Sequence, residues 1–164
     1  MKHILKQFTQ REASVHIQFI KYAIAGAIAT VVDVVTFSLC AWLVLPALSQ
    51  NELIVKLFHI AVPQLTDQMR SWHFAGDMAI AFLFSNTTAY LIDVAWVFHP
   101  GRHSRLKEFT LFFLVSLTSS AIGTGLGWAL IRWFGMGAAA AYIAKALSSL
   151  AINYAGRKFF VFQR

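Results

Sequence analysis

Cysteine, proline and charged residues are all scarce in this chain of 164 residues. Its single cysteine, Cys40, excludes an internal disulfide framework and a cysteine-based metal site. Only 13% of the residues are charged and 58% are apolar, whereas soluble domains average about 25% charged and about 45–50% apolar. A soluble domain of this size would expose much of that apolar surface, because small proteins bury proportionally less. The composition therefore indicates a protein whose solvent is lipid.

Long apolar runs are what the chain has in excess. A helix needs about 20 apolar residues to cross a bilayer, and four stretches of the sequence approach that length. We predict an all-α membrane protein, a four-helix transmembrane bundle formed by residues 20–164, with spans at about residues 20–45, 78–98, 109–131 and 138–157. Residues 1–19 are predicted to form an amphipathic lead-in on the cytoplasmic side, and residues 46–77 a long outer insert.

The basic residues are concentrated at one set of span ends. Of fourteen Lys and Arg, four lie before or at the start of the first span, three lie between the second and third spans, and three lie at or after the end of the fourth, which makes ten on one side. By the positive-inside rule this side is cytoplasmic, and so are both termini. The net charge of +7 thus reports topology, and we do not expect nucleic acid as a partner.

The first two predicted spans also resemble the last two. The second span ends with Trp96-Val97-Phe98 and the fourth with Phe160-Val161-Phe162. The odd spans each open with an aromatic and basic entry, at residues 19–22 and 107–109. This pattern suggests a two-plus-two helix repeat in which both pairs insert in the same direction.

Ionisable and polar side chains within the spans are the functional candidates, because such groups are costly in lipid. At a rise of 1.5 Å per residue, Asp33 and Lys145 are predicted at one depth, about 10 Å below the outer edge of the bilayer. They could form a structural ion pair or part of a site, and both interpretations stay open. A second layer nearer the cytoplasm holds Asp93 and Asn153.

The types of these residues favour an anionic lipid with a hydroxylated headgroup. Lysine and arginine suit phosphate, while Ser, Thr and Asn can bond the hydroxyls of a sugar. The predicted phosphate ligands are Lys145, Arg157 and Lys21. The predicted sugar or groove ligands are Asn86, Thr88, Ser120, Thr124, Ser149 and Asn153. The predicted buried charge partners are Asp33 and Asp93.

Signs of catalysis are missing from the sequence. It shows no nucleophile–base pair, no phosphate-cradling glycine loop and no metal-ligand cluster. We therefore expect no enzyme activity, no catalytic residue, no cofactor and no metal.

The motifs together resemble the GtrA-like family of small four-span membrane proteins. The resemblance is carried by residues 19–22 with Gly26, Thr30 and Asp33, by Trp96-Val97-Phe98, and by the closing segment 153–162. It implies translocation of a polyprenyl-phosphate-linked sugar across the bacterial cytoplasmic membrane, for cell-surface polysaccharide synthesis or modification. Membrane glycosyltransferases are the implied protein partners, and a homodimer is a candidate assembly because four spans make a thin wall around a large headgroup.

The chain departs from the family pattern in two places. Val94 and Ala95 stand where the family commonly has a polar or basic residue, which puts a phosphate contact from the second span in doubt. The insert 46–77 is also longer than usual, which could alter substrate or partner choice.

Two other functions compete with translocation of a lipid-linked sugar. The first is a proton-coupled exporter similar to the small multidrug-resistance proteins, with Asp33 as the intramembrane carboxylate. Lys145 argues against it, since a cation site rarely has a buried lysine. The second is a non-transporting membrane partner of a glycosyltransferase.

Overall fold

A computed structural model describes residues 7–10, 13–50, 53–99, 103–135 and 138–162. All the regular secondary structure in these residues is helical. After a short helical turn at residues 7–9, five longer α-helices follow in the described residues. They are α1 Val15–Leu43, α2 Leu53–Phe58, α3 Asp67–Ile92, α4 Arg105–Phe134 and α5 Ala138–Gly156. Helices α3 and α5 each continue into one π-helical turn, Asp93–Val97 and Arg157–Val161 respectively.

Three of these helices are long and apolar enough to cross a membrane among the described residues, namely α1, Asp67–Val97 and α4. Helix α5 is a fourth and shorter helix of 19 residues, and it contains Lys145. The structure thus has a helix at each of the four predicted spans.

Helices α1, α3 and α4 begin earlier than the apolar runs predict, whereas α5 begins at the predicted residue 138. Helix α1 starts at Val15, inside the predicted lead-in, and α3 starts at Asp67 although the span was predicted from residue 78. Thr66 caps α3, because its Oγ1 accepts a hydrogen bond from the Met69 N–H at 3.3 Å. The first turns of α3 are polar, so hydropathy alone misses them. The connection between α1 and α3 is therefore residues 44–66.

The contacts divide the chain into two compact units. The first unit is Met1–Ala25 with Tyr90–Arg164, and the second is Gly26–Ala89. In the first unit, α4 and α5 approach closely at a glycine. A Cβ on Gly123 would collide with Ser149 Oγ and would lie 3.1 Å from the Lys145 carbonyl oxygen. The absence of a side chain at Gly123 is therefore what allows this helix contact.

Two tyrosine hydrogen bonds in the first unit join matching positions of the two pairs of spans. The Tyr154 hydroxyl donates to Gln18 Oε1 at 3.0 Å, and the Tyr90 hydroxyl donates to Glu108 Oε2 at 3.4 Å. The two tyrosines are 64 residues apart (154 minus 90), and their two acceptors are 90 residues apart (108 minus 18). Each tyrosine of an even span thus meets the fourth residue of the helix of an odd span, which is Gln18 in α1 and Glu108 in α4.

The two π-helical turns obey the same offset of 64 residues. Asp93 and Arg157 begin the turns, and their carbonyl oxygens accept from the N–H groups of Phe98 and Phe162 at 2.8 and 2.9 Å. The rings of Phe98 and Phe162 stack on each other, with centroids 4.9 Å apart and planes inclined by 14°. These matched contacts support the two-plus-two repeat.

Candidate functional site

A buried arginine is the centre of the candidate site in the first unit. Arg157 opens the π-helical turn after α5, and its side chain is only 7% exposed. Its Nη1 lies 3.1 Å from Asp93 Oδ2, and its Nη2 donates to Ser116 Oγ at 2.9 Å. The guanidinium also lies over the Phe112 ring, 3.6 Å from the centroid. We call Arg157, Asp93, Ser116 and Phe112 the arginine centre.

Some polar atoms at and beside the arginine centre have no partner. Arg157 Nε, Asp93 Oδ1 and Asn153 Oδ1 are buried and form no hydrogen bond in the described part of the chain. Buried polar groups in proteins are nearly always hydrogen-bonded. The arginine centre therefore retains both donor and acceptor capacity for a polar ligand.

Lys21 is the second buried cation of the first unit. It is completely buried, and its Nζ donates to the Gln10 carbonyl oxygen at 2.8 Å. The same ammonium lies 5.1 Å from the centroid of the Trp96 ring. Trp96 Nε1 donates in turn to the Phe8 carbonyl oxygen at 2.7 Å. Residues 7–10 thus supply neutral main-chain partners to Lys21 and Trp96, and no carboxylate within the described residues pairs with Lys21.

Asp33 lies in the second unit and has a partner that sequence reasoning missed. Its Oδ1 accepts a hydrogen bond from Ser85 Oγ at 2.7 Å. Ser85 lies directly before Asn86, the first of the groove residues predicted in this helix. Its counterpart in the repeat is Ser149, 64 residues later (149 minus 85). Lys145 is a partly exposed residue of the first unit, so its pairing with Asp33 stays a prediction.

The predicted groove residues of α3 hydrogen-bond to their own helix. Asn86 Nδ2 donates to the Phe82 carbonyl oxygen at 3.1 Å, and Thr88 Oγ1 donates to the Phe84 carbonyl oxygen at 2.9 Å. Asn86 is buried, whereas Thr88 is half-buried. Asn86 keeps its amide oxygen as an acceptor that could face a ligand.

The predicted groove residues of α4 and α5 divide into packed and exposed ones. Ser149 is engaged in helix packing, since its Oγ donates to the Ser119 carbonyl oxygen at 3.0 Å. Ser120 and Thr124 are exposed, while Ser119 and Gly123 are buried on the face toward α5. The structure therefore brings together Arg157 and Asp93 from the predicted set, and it leaves Ser120 and Thr124 on a separate face of α4.

Asp77 is a buried carboxylate that the sequence reading missed, because the second span was predicted to begin one residue after it. Its side chain is fully buried, and neither carboxylate oxygen has a hydrogen-bond partner in the described residues. The signal was an aspartate four residues after His73, which places both on one face of α3.

Asp77→Leu is expected to stabilise the protein, because it removes two unpartnered buried oxygens. The gain in the free energy of unfolding should be about 1–3 kcal/mol, the usual cost of an unpaired buried polar group. Thermal unfolding in detergent would measure it. Asp67→Leu is the control, because Asp67 is 92% exposed and pairs with Arg70, and it should give no gain. Unfolding of the Asp77→Leu protein would contradict the prediction.

The comparisons with known proteins identify one family. No curated protein and no solved structure matches the chain. Within the described residues, no group of three or more His, Cys, Asp or Glu could hold a metal ion. The GtrA/DPMS transmembrane domain matches residues 21–162, which include the whole of α2 to α5 and most of α1.

This match confirms the resemblance and the all-α fold class of a multi-pass membrane protein, while the side on which the termini lie stays a prediction. It covers Lys21, Asp93 and Arg157, three buried charged residues of the first unit. The chain therefore belongs to the GtrA/DPMS transmembrane domain family.

Proposed function

We propose that this protein translocates a polyprenyl-phosphate-linked sugar across the bacterial cytoplasmic membrane and makes or breaks no covalent bond. The observation that carries the proposal is the pair of buried cations in the first unit. Among the residues that the structure describes, Arg157 has an unpartnered Nε and Lys21 has no carboxylate partner. Membership of the GtrA/DPMS family supports a role in handling lipid-linked sugars. Membrane glycosyltransferases would make the lipid or use it after passage.

The arginine centre can exchange one anion for another. Asp93 neutralises Arg157 while no substrate is bound, which avoids an uncompensated charge in a desolvated place. A phosphate oxygen could approach the free Nε edge, since guanidinium groups bind phosphate with two parallel donors. Asp93 and phosphate would then compete for the same cation, so binding need not be irreversible.

A phosphate could replace the present hydrogen-bond acceptor of Lys21, because that hydrogen bond is weaker than one to an anion. Its acceptor is the neutral carbonyl oxygen of Gln10, and a charge-assisted hydrogen bond is roughly twice as strong as a neutral one. An arriving phosphate would therefore displace residues 7–10 from the ammonium. We propose that the sugar hydroxyls then meet Asn153 and Ser149 of the same unit, with Lys145 as a further phosphate ligand.

A reconstituted liposome assay with a labelled short-chain polyprenyl-phosphate hexose tests the proposal. Lys21→Met removes the charge and keeps the chain length, and it should lower the flipping rate at least about tenfold, the loss for one unsatisfied charge contact in the rate-limiting barrier. Lys107→Met is the matched control, because Lys107 is exposed in the same unit, and it should leave the rate unchanged.

Two results would count against the proposal. Wild-type liposomes that flip the lipid no faster than empty liposomes would refute translocation itself. Unchanged flipping by Lys21→Met would refute the role of Lys21. Transport of quaternary ammonium compounds that is lost in Asp33→Asn would instead favour the exporter.

A further inference from the structure

A polar cavity lies in the second unit, where the segment after α1 meets the first turns of α3. It consists of two adjoining hollows of about 260 and 360 Å³ that share Ser49 and Arg70 as lining residues. At about 30 Å³ per water, the smaller hollow has room for about nine waters, which suits one monosaccharide.

The wall of the cavity is held in place by contacts between α3 and the segment after α1. His73 Nδ1 lies 2.8 Å from the Pro46 carbonyl oxygen, and a Cβ on Gly76 would lie 2.7 Å from Leu45. The Phe74 ring, which lines the larger hollow, packs edge-on against Phe37 at 5.4 Å. These contacts hold α3 against residues 45 and 46 beside the cavity.

The lining side chains offer both donors and acceptors without a net charge. Gln50 and Gln64 each present an amide that donates and accepts hydrogen bonds. Arg70 Nη2 lies 2.8 Å from Asp67 Oδ1, so the one cation of the lining is already neutralised. Phe74 adds an apolar face. A polyhydroxylated and uncharged ring fits this combination, because its hydroxyls donate and accept hydrogen bonds without bringing a charge.

We infer that this cavity of the second unit binds the hexose headgroup of the lipid. The inference rests on the proposed function and extends it, since it adds a second substrate site that recognises the sugar alone. The phosphate would remain outside the cavity, toward the lipid. The connection of residues 44–66 then has a role, because it supplies Gln50 and Gln64.

Ligand-observed NMR on the full-length protein in nanodiscs tests this site without any transport step. The probes are free glucose, galactose, mannose and N-acetylglucosamine, inorganic phosphate, and a short-chain polyprenyl-phosphate hexose. At least one free or lipid-linked sugar should bind, and Gln64→Ala and Gln50→Ala should each weaken it by about tenfold, the loss of one buried hydrogen bond to the ligand. Gln68→Ala is the matched control, because Gln68 lies in the first turn of α3 but outside the lining, and it should bind like wild type.

The results separate the site from the proposed function. Binding of free hexose assigns recognition to the sugar ring, and binding of only the lipid-linked form assigns it to the headgroup as held by the membrane. Either result supports the site if Gln64→Ala weakens it. No sugar binding, equal binding by Gln64→Ala, or stronger binding of inorganic phosphate at this place would overturn the inference. Flipping by wild-type liposomes is scored separately, so a failed flippase that still binds hexose refutes translocation and leaves the sugar site standing.

Discussion

Arg157→Ala is expected to lower the free energy of unfolding by about 3–5 kcal/mol, the typical cost of removing one partner of a buried ion pair. The reason is Asp93, which is fully buried and would keep a charge with no cation beside it. Ser116 would also lose the guanidinium that donates to its hydroxyl. Thermal unfolding in detergent, followed by circular dichroism, would measure the loss.

A double variant separates the structural role of this pair from its role toward phosphate. Replacing both charges, as Asp93→Leu with Arg157→Met, leaves no buried charge uncompensated and should recover most of the stability. The recovered protein should still fail to flip the lipid, because the phosphate ligand is gone. Wild-type stability of Arg157→Ala would contradict the buried pair, and normal flipping by the double variant would remove Arg157 from the proposed mechanism.

Gly123→Leu is expected to separate α4 from α5 and to cost at least about 1–3 kcal/mol, the usual cost of overpacking. A Cβ at this position already collides with Ser149 Oγ and crowds the Lys145 carbonyl oxygen, and the latter is backbone that cannot swing away. The hydrogen bond from Ser149 to the Ser119 carbonyl oxygen would break as well.

Gly125→Leu is the matched control for this prediction. Gly125 lies two residues away on the same helix, and a Cβ there meets nothing within 4 Å in the described structure. Because leucine is a better helix former than glycine, this variant should be as stable as wild type or up to about 1 kcal/mol more stable. Size-exclusion profiles and thermal unfolding of the two variants should therefore diverge. Equal behaviour would show that the close contact at Gly123 does not hold α4 to α5.

The positions of the helices could be predicted from the apolar runs, but not all of their ends. Hydropathy marks where lipid can solvate a helix, so it locates the spans and stops where polar residues begin. Helix α3 continues through polar turns to Asp67, where Thr66 caps it. Hydropathy does not predict such polar turns, because hydrogen bonds stabilise them and apolar burial does not. This is also why Asp77 escaped notice.

Two charged residues of the arginine centre, Arg157 and Asp93, were chosen from the sequence, but their contact with each other and with Ser116 and Phe112 was not. Sequence reasoning chose Arg157 as a phosphate ligand and Asp93 as a charge partner, and it paired Lys145 with Asp33 by depth. In the structure Arg157 bonds Asp93, and Asp33 bonds Ser85. Depth along a helix follows from counting residues, whereas the facing direction depends on helix rotation and on the π-helical turns, which shift the register by about one residue.

By itself the sequence determined that this is an all-α membrane protein of the GtrA/DPMS family with basic and polar residues in its spans, because apolar length, the type of charge and short motifs are properties of the chain alone. Only the tertiary structure decided that Asp93 neutralises Arg157, that the carbonyl of Gln10 holds Lys21, and that Gly123 admits Ser149. These contacts join residues that are eleven to 64 positions apart, and no local pattern specifies which of several polar side chains will meet once the helices pack.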